Sequence, residues 1–321
     1  MEQTDLHHAQ QQIKRLAQVL PKFGPEAQAN LQSNPALKHY LDFYQLPEPS
    51  DRLQLLAGKL VHGQQQTHLM LWKPPQSKGT AVIVHGYLDH TGLYGHPIRQ
   101  LLERQLTVVC FDLIGHGLSS GEPASIDSFG QYVQQLNQVL EATADLCPKP
   151  LHGIGQSTGG AILLKQLLNQ GSNHNYPFVS LNLLAPLVQP RLWKLDRWLF
   201  KLTRPFRPTM NRVFRKNSQD AAFLHFVRHR DPFQPRRLPA AWVSAMANWV
   251  VEMGCSTENP FAINVIQGDQ DSTVDWRHNI KVLQGKFPNM ELQVIQGAGH
   301  HLVNEVPVLR EEIFAALKLY P

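Results

Sequence analysis

The chain has 321 residues, 42% hydrophobic and 17% charged, enough apolar material for one large α/β domain with an insertion or two medium domains. No run approaches the roughly 18 consecutive apolar residues of a membrane span, the first residues form no apolar signal core, and three scattered cysteines exclude a disulfide framework, so a cytoplasmic protein is expected. The net charge of +5 is uneven: residues 191–237 hold thirteen Lys or Arg against three acids, a local +10 that leaves −5 for the remainder.

Residues 1–50 read as a helical N-terminal extension, with Ile13, Leu16, Val19 and Leu20 at helical spacing, Pro21 as a stop and a second short helix over 37–44. Extended runs at 53–61 and 68–72, divided near Gly63, suggest a hairpin at a sheet edge. The short apolar run 80–84 has the character of a buried parallel strand. A helix over 93–103, a strand over 106–111 and a glycine-rich loop over 112–121 follow. Asp127 or Ser128 can cap a long helix reaching about residue 146. A strand enters Ser157, a helix leaves it, and another strand covers 178–184. Strands alternating with helices imply right-handed βαβ units and a mostly parallel sheet. The rhythm breaks near Pro186. It resumes with a strand over 261–266, a helix over 276–283, a strand over 291–295 and a last helix over 306–319. The expected organisation is therefore a helical extension (1–50), a core formed by 51–186 with 255–321, and an inserted, basic, mainly helical cap (187–254).

Gly155-Gln156-Ser157-Thr158-Gly159 is a G-x-S-x-G sequence between a strand and a helix, the context in which a sharp turn exposes a serine hydroxyl. Such a hydroxyl needs a base, usually an imidazole held by a carboxylate. After the 261–266 strand come Asp269, Asp271 and Asp275, and after the 291–295 strand come His300 and His301. The acids compete, since carboxylates after strands often cap helices and Asp275 precedes one. The two histidines are neighbours that point opposite ways in an extended segment, so only one can face Ser157. The N–H after the serine, that of Thr158, is one candidate donor to a developing oxyanion.

The sequences His85-Gly86-Tyr87-Leu88-Asp89-His90, Asp112-Leu113-Ile114-Gly115-His116-Gly117, Gly155-Gln156-Ser157-Thr158-Gly159, Gly268-Asp269-Gln270-Asp271 and Gly297-Ala298-Gly299-His300 stand in one order. Together they resemble the monoacylglycerol lipase and lysophospholipase branch of the α/β-hydrolases, often filed under the serine aminopeptidase-like hydrolases. The resemblance covers about residues 79–319 apart from the cap. It implies the α/β-hydrolase fold, a mostly parallel central sheet flanked by helices with an inserted helical cap. It also implies Ser157 as nucleophile, Asp271 as acid, His300 as base, and the backbone N–H groups of Tyr87 and Thr158 as oxyanion donors. His85, His116 and Asp112 are read as residues that hold loops.

Within the cap, Leu192, Leu195, Leu199 and Leu202 recur at helical spacing beside Arg191, Lys194, Arg197 and Lys201, with Trp193 and Trp198 near the boundary. Such a helix can lie at an anionic membrane interface, or pack its apolar stripe over the site and face its cations to water. Phe223, Phe226, Trp242, Met246 and Trp249 are candidates to line an acyl tunnel. The expected activity is hydrolysis of a monoacylglycerol or lysophospholipid through an acyl-enzyme, with no organic cofactor or metal and with peripheral membrane contact through the cap. His225 and His229, four apart on a helix, lack a third ligand of convincing spacing. The alternatives are a hydrolase of small esters, thioesters or peptides, and a non-catalytic membrane-binding protein. No nucleic-acid motif accompanies the charge.

Overall fold

The structure, a computed structural model, describes residues 3–24, 34–170, 176–191, 193 and 208–320. Helices α1 (Gln3–Val19) and α2 (Pro35–Tyr44) come first. Asn34 starts α2 by accepting the Ala36 N–H at 3.0 Å, and Pro35 fills a first-turn position that needs no amide hydrogen. The expected hairpin follows as β1 (Gln54–His62) and β2 (Gln65–Lys73), paired antiparallel around Gly63. Then come β3 (Thr80–Val84), α3 (Gly95–Glu103), β4 (Thr107–Phe111), α4 (Phe129–Thr143), β5 (Leu151–Gln156), α5 (Thr158–Gln170) and β6 (Ser180–Leu184). Ser128 is the N-cap of α4, where Gln131 Oε1 accepts the Asp127 N–H at 2.8 Å.

Between β6 and the next sheet strand lie β7 (Thr209–Asn211), α6 (Ala221–His229), β8 (Arg237–Pro239) and α7 (Ala240–Cys255). The core resumes with β9 (Ile263–Gly268), α8 (Trp276–Lys286), β10 (Glu291–Ile295) and α9 (Pro307–Ala315). The last helix ends sooner than its periodicity suggests. Buried Asn182, Asn264 and Ser180 bind the backbone of Ala316 and Lys318 at 2.8–3.0 Å and draw the chain out of helical geometry.

The eight main strands run in the order β1-β2-β4-β3-β5-β6-β9-β10, with β1, β2 and β4 paired antiparallel and the remaining pairs parallel. The inner strands β3, β4, β5, β6 and β9 are buried throughout, as a sheet covered on both faces requires. Alternate residues separate into two cores. Val82, Val84, Val109 and Phe111 join the side covered by α4, α5 and α7. Ala81, Ile83, Val108 and Cys110 join the side covered by α1, α2, α3 and α9. Ile13, Leu16, Tyr40 and Leu41 of the first two helices are buried on that second side. The basic run at 191–202 lies outside the described residues except for Arg191 and Trp193. Beyond it, β7 and β8 form a short antiparallel ribbon that helical spacing does not foreshadow. Helix α7 docks on α4, with Trp249 stacked on Phe129 at 5.9 Å and donating to Leu187 O at 2.8 Å.

Candidate active site

Ser157 occupies the turn between β5 and α5. Its φ of +53° lies in the left-handed region that serine rarely adopts. Three hydrogen bonds hold the strained backbone there: Ser157 N–H donates to Leu184 O at 2.8 Å, and Ser157 O accepts from Ala161 at 3.1 Å and Leu187 at 3.0 Å. The flanking glycines are steric requirements. A Cβ at position 155 would lie 2.6 Å from the Gly159 carbonyl carbon, and one at 159 would lie 1.9 Å from Val84 O.

Parallel strands bring their C-terminal ends to one edge of the sheet, where the loops after β5, β9 and β10 meet. There Ser157 Oγ lies 2.9 Å from His300 Nε2, and His300 Nδ1 lies 2.7 Å from Asp271 Oδ2. The carboxylate is held on both oxygens: Oδ1 accepts the N–H groups of Thr273 (2.8 Å) and Val274 (3.1 Å), and Oδ2 accepts from Gln267 Nε2 (3.0 Å). Gln156 Nε2 donates to His300 O at 2.8 Å, which ties the serine turn to the histidine loop. Burial disfavours charge on both Asp271 and His300. Their attraction outweighs it, holding Asp271 below the usual carboxylate range and His300 above an ordinary imidazole.

The competing residues are engaged elsewhere. Asp269 Oδ1 accepts the Gly297 N–H at 2.8 Å, and Asp275 caps α8 through the His278 N–H. His301 Nε2 points away from Ser157 to Asp89, 3.1 Å from each carboxylate oxygen. His85 joins the Gly86 carbonyl to the Leu113 N–H, and His116 Nδ1 binds Ile114 O. Asp112, fully buried, gathers the N–H groups of Thr91 (2.7 Å) and Leu118 (2.8 Å) and the ring of His68. Burial works against its charge, yet its histidine partners keep it well below the usual carboxylate range. These three residues brace the loops beneath the site.

Ser157 and His300 open into a cavity of about 760 Å³. Phe223, Trp242 and Met246 line it, as the sequence suggests, but Phe226 and Trp249 do not. Phe226 packs on Phe43 at 5.5 Å, and Trp249 is spent on docking α7. The residues carrying the two expected oxyanion donors also border the cavity. Thr158 opens α5, so its N–H has no helical acceptor one turn back. Among the described residues the Tyr87 N–H also meets no acceptor, while the loop around it is pinned. Gly86 N–H donates to Tyr94 Oη at 3.0 Å, Gln234 Nε2 donates to Leu88 O at 3.0 Å, and the Tyr87 ring stacks on Trp242 at 3.5 Å.

Sequence reasoning missed the supports Gln156 and Gln267, the His68 partner of Asp112, and two further buried acid–imidazole pairs. One is Asp89–His301, joined by the Tyr94 hydroxyl at 3.0 Å. The other is Asp231–His90, 3.0 Å apart and joined by the Tyr44 hydroxyl at 2.9 Å and Gln234 Nε2 at 2.7 Å. Partners 141 and 212 positions apart obey no spacing rule, so no local signal marks them. Among the described residues no group of three His, Cys, Asp or Glu side chains is arranged for a metal.

Comparison with known proteins places the chain in a family. The sequence profile of the serine aminopeptidase S33 hydrolases matches residues 75–307. A monoglyceride lipase homolog of Monkeypox virus is 26% identical over 258 residues, covering 78% of this chain and 91% of the relative. The monoglyceride lipase of Homo sapiens is 24% identical over 265 residues, covering 78% and 84%. A soluble variant of the monoglyceride lipase of Saccharomyces cerevisiae, solved with a substrate analog, shares the fold with a TM-score of 0.67 at 16% identity, over 80% of this chain and 91% of that one. The Paleococcus ferrophilus monoacylglycerol lipase does so with a TM-score of 0.65 at 16% identity, over 78% and 99%. With a family match across most of the chain, the expected sheet and this strand-end site, the chain belongs to the serine aminopeptidase S33 family of α/β-hydrolases, on its monoacylglycerol lipase-like branch.

Proposed function

We propose that the chain is a serine carboxylester hydrolase that releases fatty acid from a monoacylglycerol or lysophospholipid through an acyl-enzyme. The observation that carries this reading is the hydrogen-bonded run Ser157–His300–Asp271 at the foot of a large, mostly apolar cavity. In this mechanism Ser157 Oγ attacks the ester carbonyl while His300 Nε2 takes its proton. Asp271 keeps the ring oriented and stabilises the imidazolium, and the N–H groups of Tyr87 and Thr158 hold the oxyanion. The imidazolium returns the proton to the departing alcohol. Water, activated by the same base, then frees the acid and regenerates Ser157.

In the same reading residues 187–254 form a cap over a core of 51–186 and 255–321, residues 1–50 are an extension braced on that core, and the basic cap meets anionic membrane surfaces. Among the described residues no helix is long and apolar enough to cross a membrane. The peptidase activity in the family's name is a weaker fit. A peptide's terminal ammonium needs a free carboxylate, and among the described cavity-lining residues the one acid, Asp89, is already held by His301 and Tyr94.

The test is hydrolysis by purified protein beside its Ser157→Ala variant, on a monoacylglycerol, two lysophospholipids, a short p-nitrophenyl ester and an aminoacyl amide. Fatty acid released from the lipids by the parent alone supports the proposal. Activity confined to the amide or to the short ester removes the lipid substrate, and equal silence of both proteins removes the enzyme.

A further inference from the structure

Four cations border the cavity that opens onto Ser157: Arg212, Arg215, Lys216 and Arg228. Among the described residues none of them forms an ion pair. The single acid on the described lining, Asp89, already receives His301 and Tyr94. Arg212 is partly buried and feels the charges of Asp89 and Asp231, while Arg215, Lys216 and Arg228 are exposed, so the rim of the cavity carries an excess of positive charge.

The arrangement is directional as well as charged. Arg212 directly follows β7, and its Nη1 donates to Gln234 Oε1 (2.5 Å) and Pro235 O (3.4 Å). Its guanidinium carbon lies 4.3 Å from the centre of the Phe214 ring, and that of Arg228, in the last turn of α6, lies 5.8 Å from the same ring. With Arg236 at 5.9 Å, three guanidinium groups converge on one aromatic platform, and of these Arg212 and Arg228 border the cavity. Each has five N–H donors in a planar fork, and the bonds to Gln234 and Pro235 leave most of the Arg212 donors free. The same helix presents Phe223 and Val227 to the cavity ahead of Arg228. The lining thus combines apolar side chains that suit hydrocarbon with guanidinium groups that suit an oxyanion.

We infer that the substrate is a monoacyl lipid with an anionic phosphate in its head group, gripped by Arg212 and Arg228 with Arg215 and Lys216 adding attraction. This rests on the ester-hydrolase reading above and narrows its substrate. A neutral monoacylglycerol leaves the cations unmatched. A phosphocholine lysolipid brings a phosphate together with an ammonium that they repel. The expected order of preference is anionic, then zwitterionic, then neutral.

The same cations can instead hold the carboxylate of a released fatty acid, and the experiment separates the two sources. Ser157→Ala protein, which binds without turnover, is titrated with dodecanoyl lysophosphatidylglycerol, lysophosphatidylcholine, monododecanoylglycerol and laurate, all below their micelle concentrations. Binding is read from tryptophan fluorescence, because Trp193 and Trp242 border the cavity. The anionic lysolipid is expected to bind roughly tenfold more tightly than the neutral one, the effect of about one charge-assisted hydrogen bond. Added sodium chloride should erode that advantage. Arg228→Gln and Arg212→Gln should weaken the phosphate ligand selectively, and Arg228→Lys should restore part of the loss.

Equal affinities, tighter neutral binding or no binding at all would overturn the inference. So would an equal gain for laurate, which would assign the cations to the product. The ligand comparison needs no arginine variant, so a poorly folding variant leaves the decision intact. If the protein prefers the anionic lipid while its Ser157-intact parent hydrolyses none of the ligands, the hydrolase reading fails and an anionic-lipid binding site remains.

Discussion

At the scale of the residue, the site joins one strained serine to a charge-stabilised imidazole. Ser157→Ala removes the proposed nucleophile and should lower kcat by about 10⁵-fold or more, checked by ester hydrolysis at saturating substrate. In the proposed mechanism His300 must be neutral to accept the serine proton, and Asp271 raises its pKa above the ordinary 6.5. Activity is therefore lost as pH falls through that raised value, so kcat/KM should climb with pH and level off above 6.5. Asp271→Asn withdraws the charge that favours the imidazolium. It should shift the acid limb to lower pH while cutting kcat by about 10⁴-fold, and a pH–rate profile reads both effects. An acid limb that stays in place would mean that Asp271 does not set the base.

At the scale of the element, the turn between β5 and α5 works because strand and helix backbones nearly touch. Gly159→Ala would drive a methyl carbon to 1.9 Å from a backbone oxygen of β3 that has no freedom to retreat. The expected cost is about 3 kcal/mol or more, seen as a lower urea midpoint. Trp242 of α7 is a second joint, since its ring lies flat against Tyr87 at 3.5 Å with a 13° tilt. Trp242→Ala should destabilise the protein by about 3 kcal/mol and loosen the Tyr87 loop, lowering kcat as well as raising KM. An unchanged kcat would show that the loop holds its N–H without the stack. The main-sheet strands and core helices were legible because apolar runs and loop residues alternate along the chain. The ribbon of β7 and β8 was not, because three-residue strands carry too little periodicity to stand out.

At the scale of the whole molecule, Asp231 ties three distant segments together. It receives Tyr44 from α2, His90 from the loop after β3 and Gln234 from the stretch before β8, and it is buried with His90. Burial opposes charge on both partners, but their pairing raises His90 above 6.5 and holds Asp231 below 3.8. The His90 contribution to stability is complete below pH 6.5 and is lost as pH rises through its elevated pKa. The Asp231 contribution is complete above pH 3.8 and is lost as pH falls through its depressed pKa. Asp231→Asn should thus cost about 3–5 kcal/mol. The gap from the parent should be widest between pH 3.8 and 6.5, as measured by urea unfolding across pH. A gap independent of pH would assign the loss to packing rather than to the pair.

The sequence by itself determined the alternation of strands and helices, the serine turn with its two glycines, and the order in which serine, acid and histidine candidates follow their strands. These are properties of neighbouring residues, set by side-chain period and local backbone geometry. Residue chemistry alone left Asp269, Asp271 and Asp275 open, and likewise His300 and His301; only resemblance to a family chose among them. Tertiary structure placed Asp271 and His300 in line with Ser157, because loop paths above a shared sheet edge decide which carboxylate reaches which ring. Tertiary structure also decided that Trp249 and Phe226 brace the fold while Trp242 faces the cavity, and that four arginine and lysine side chains converge on it. Those outcomes depend on contacts between segments far apart in the chain, which no local pattern records.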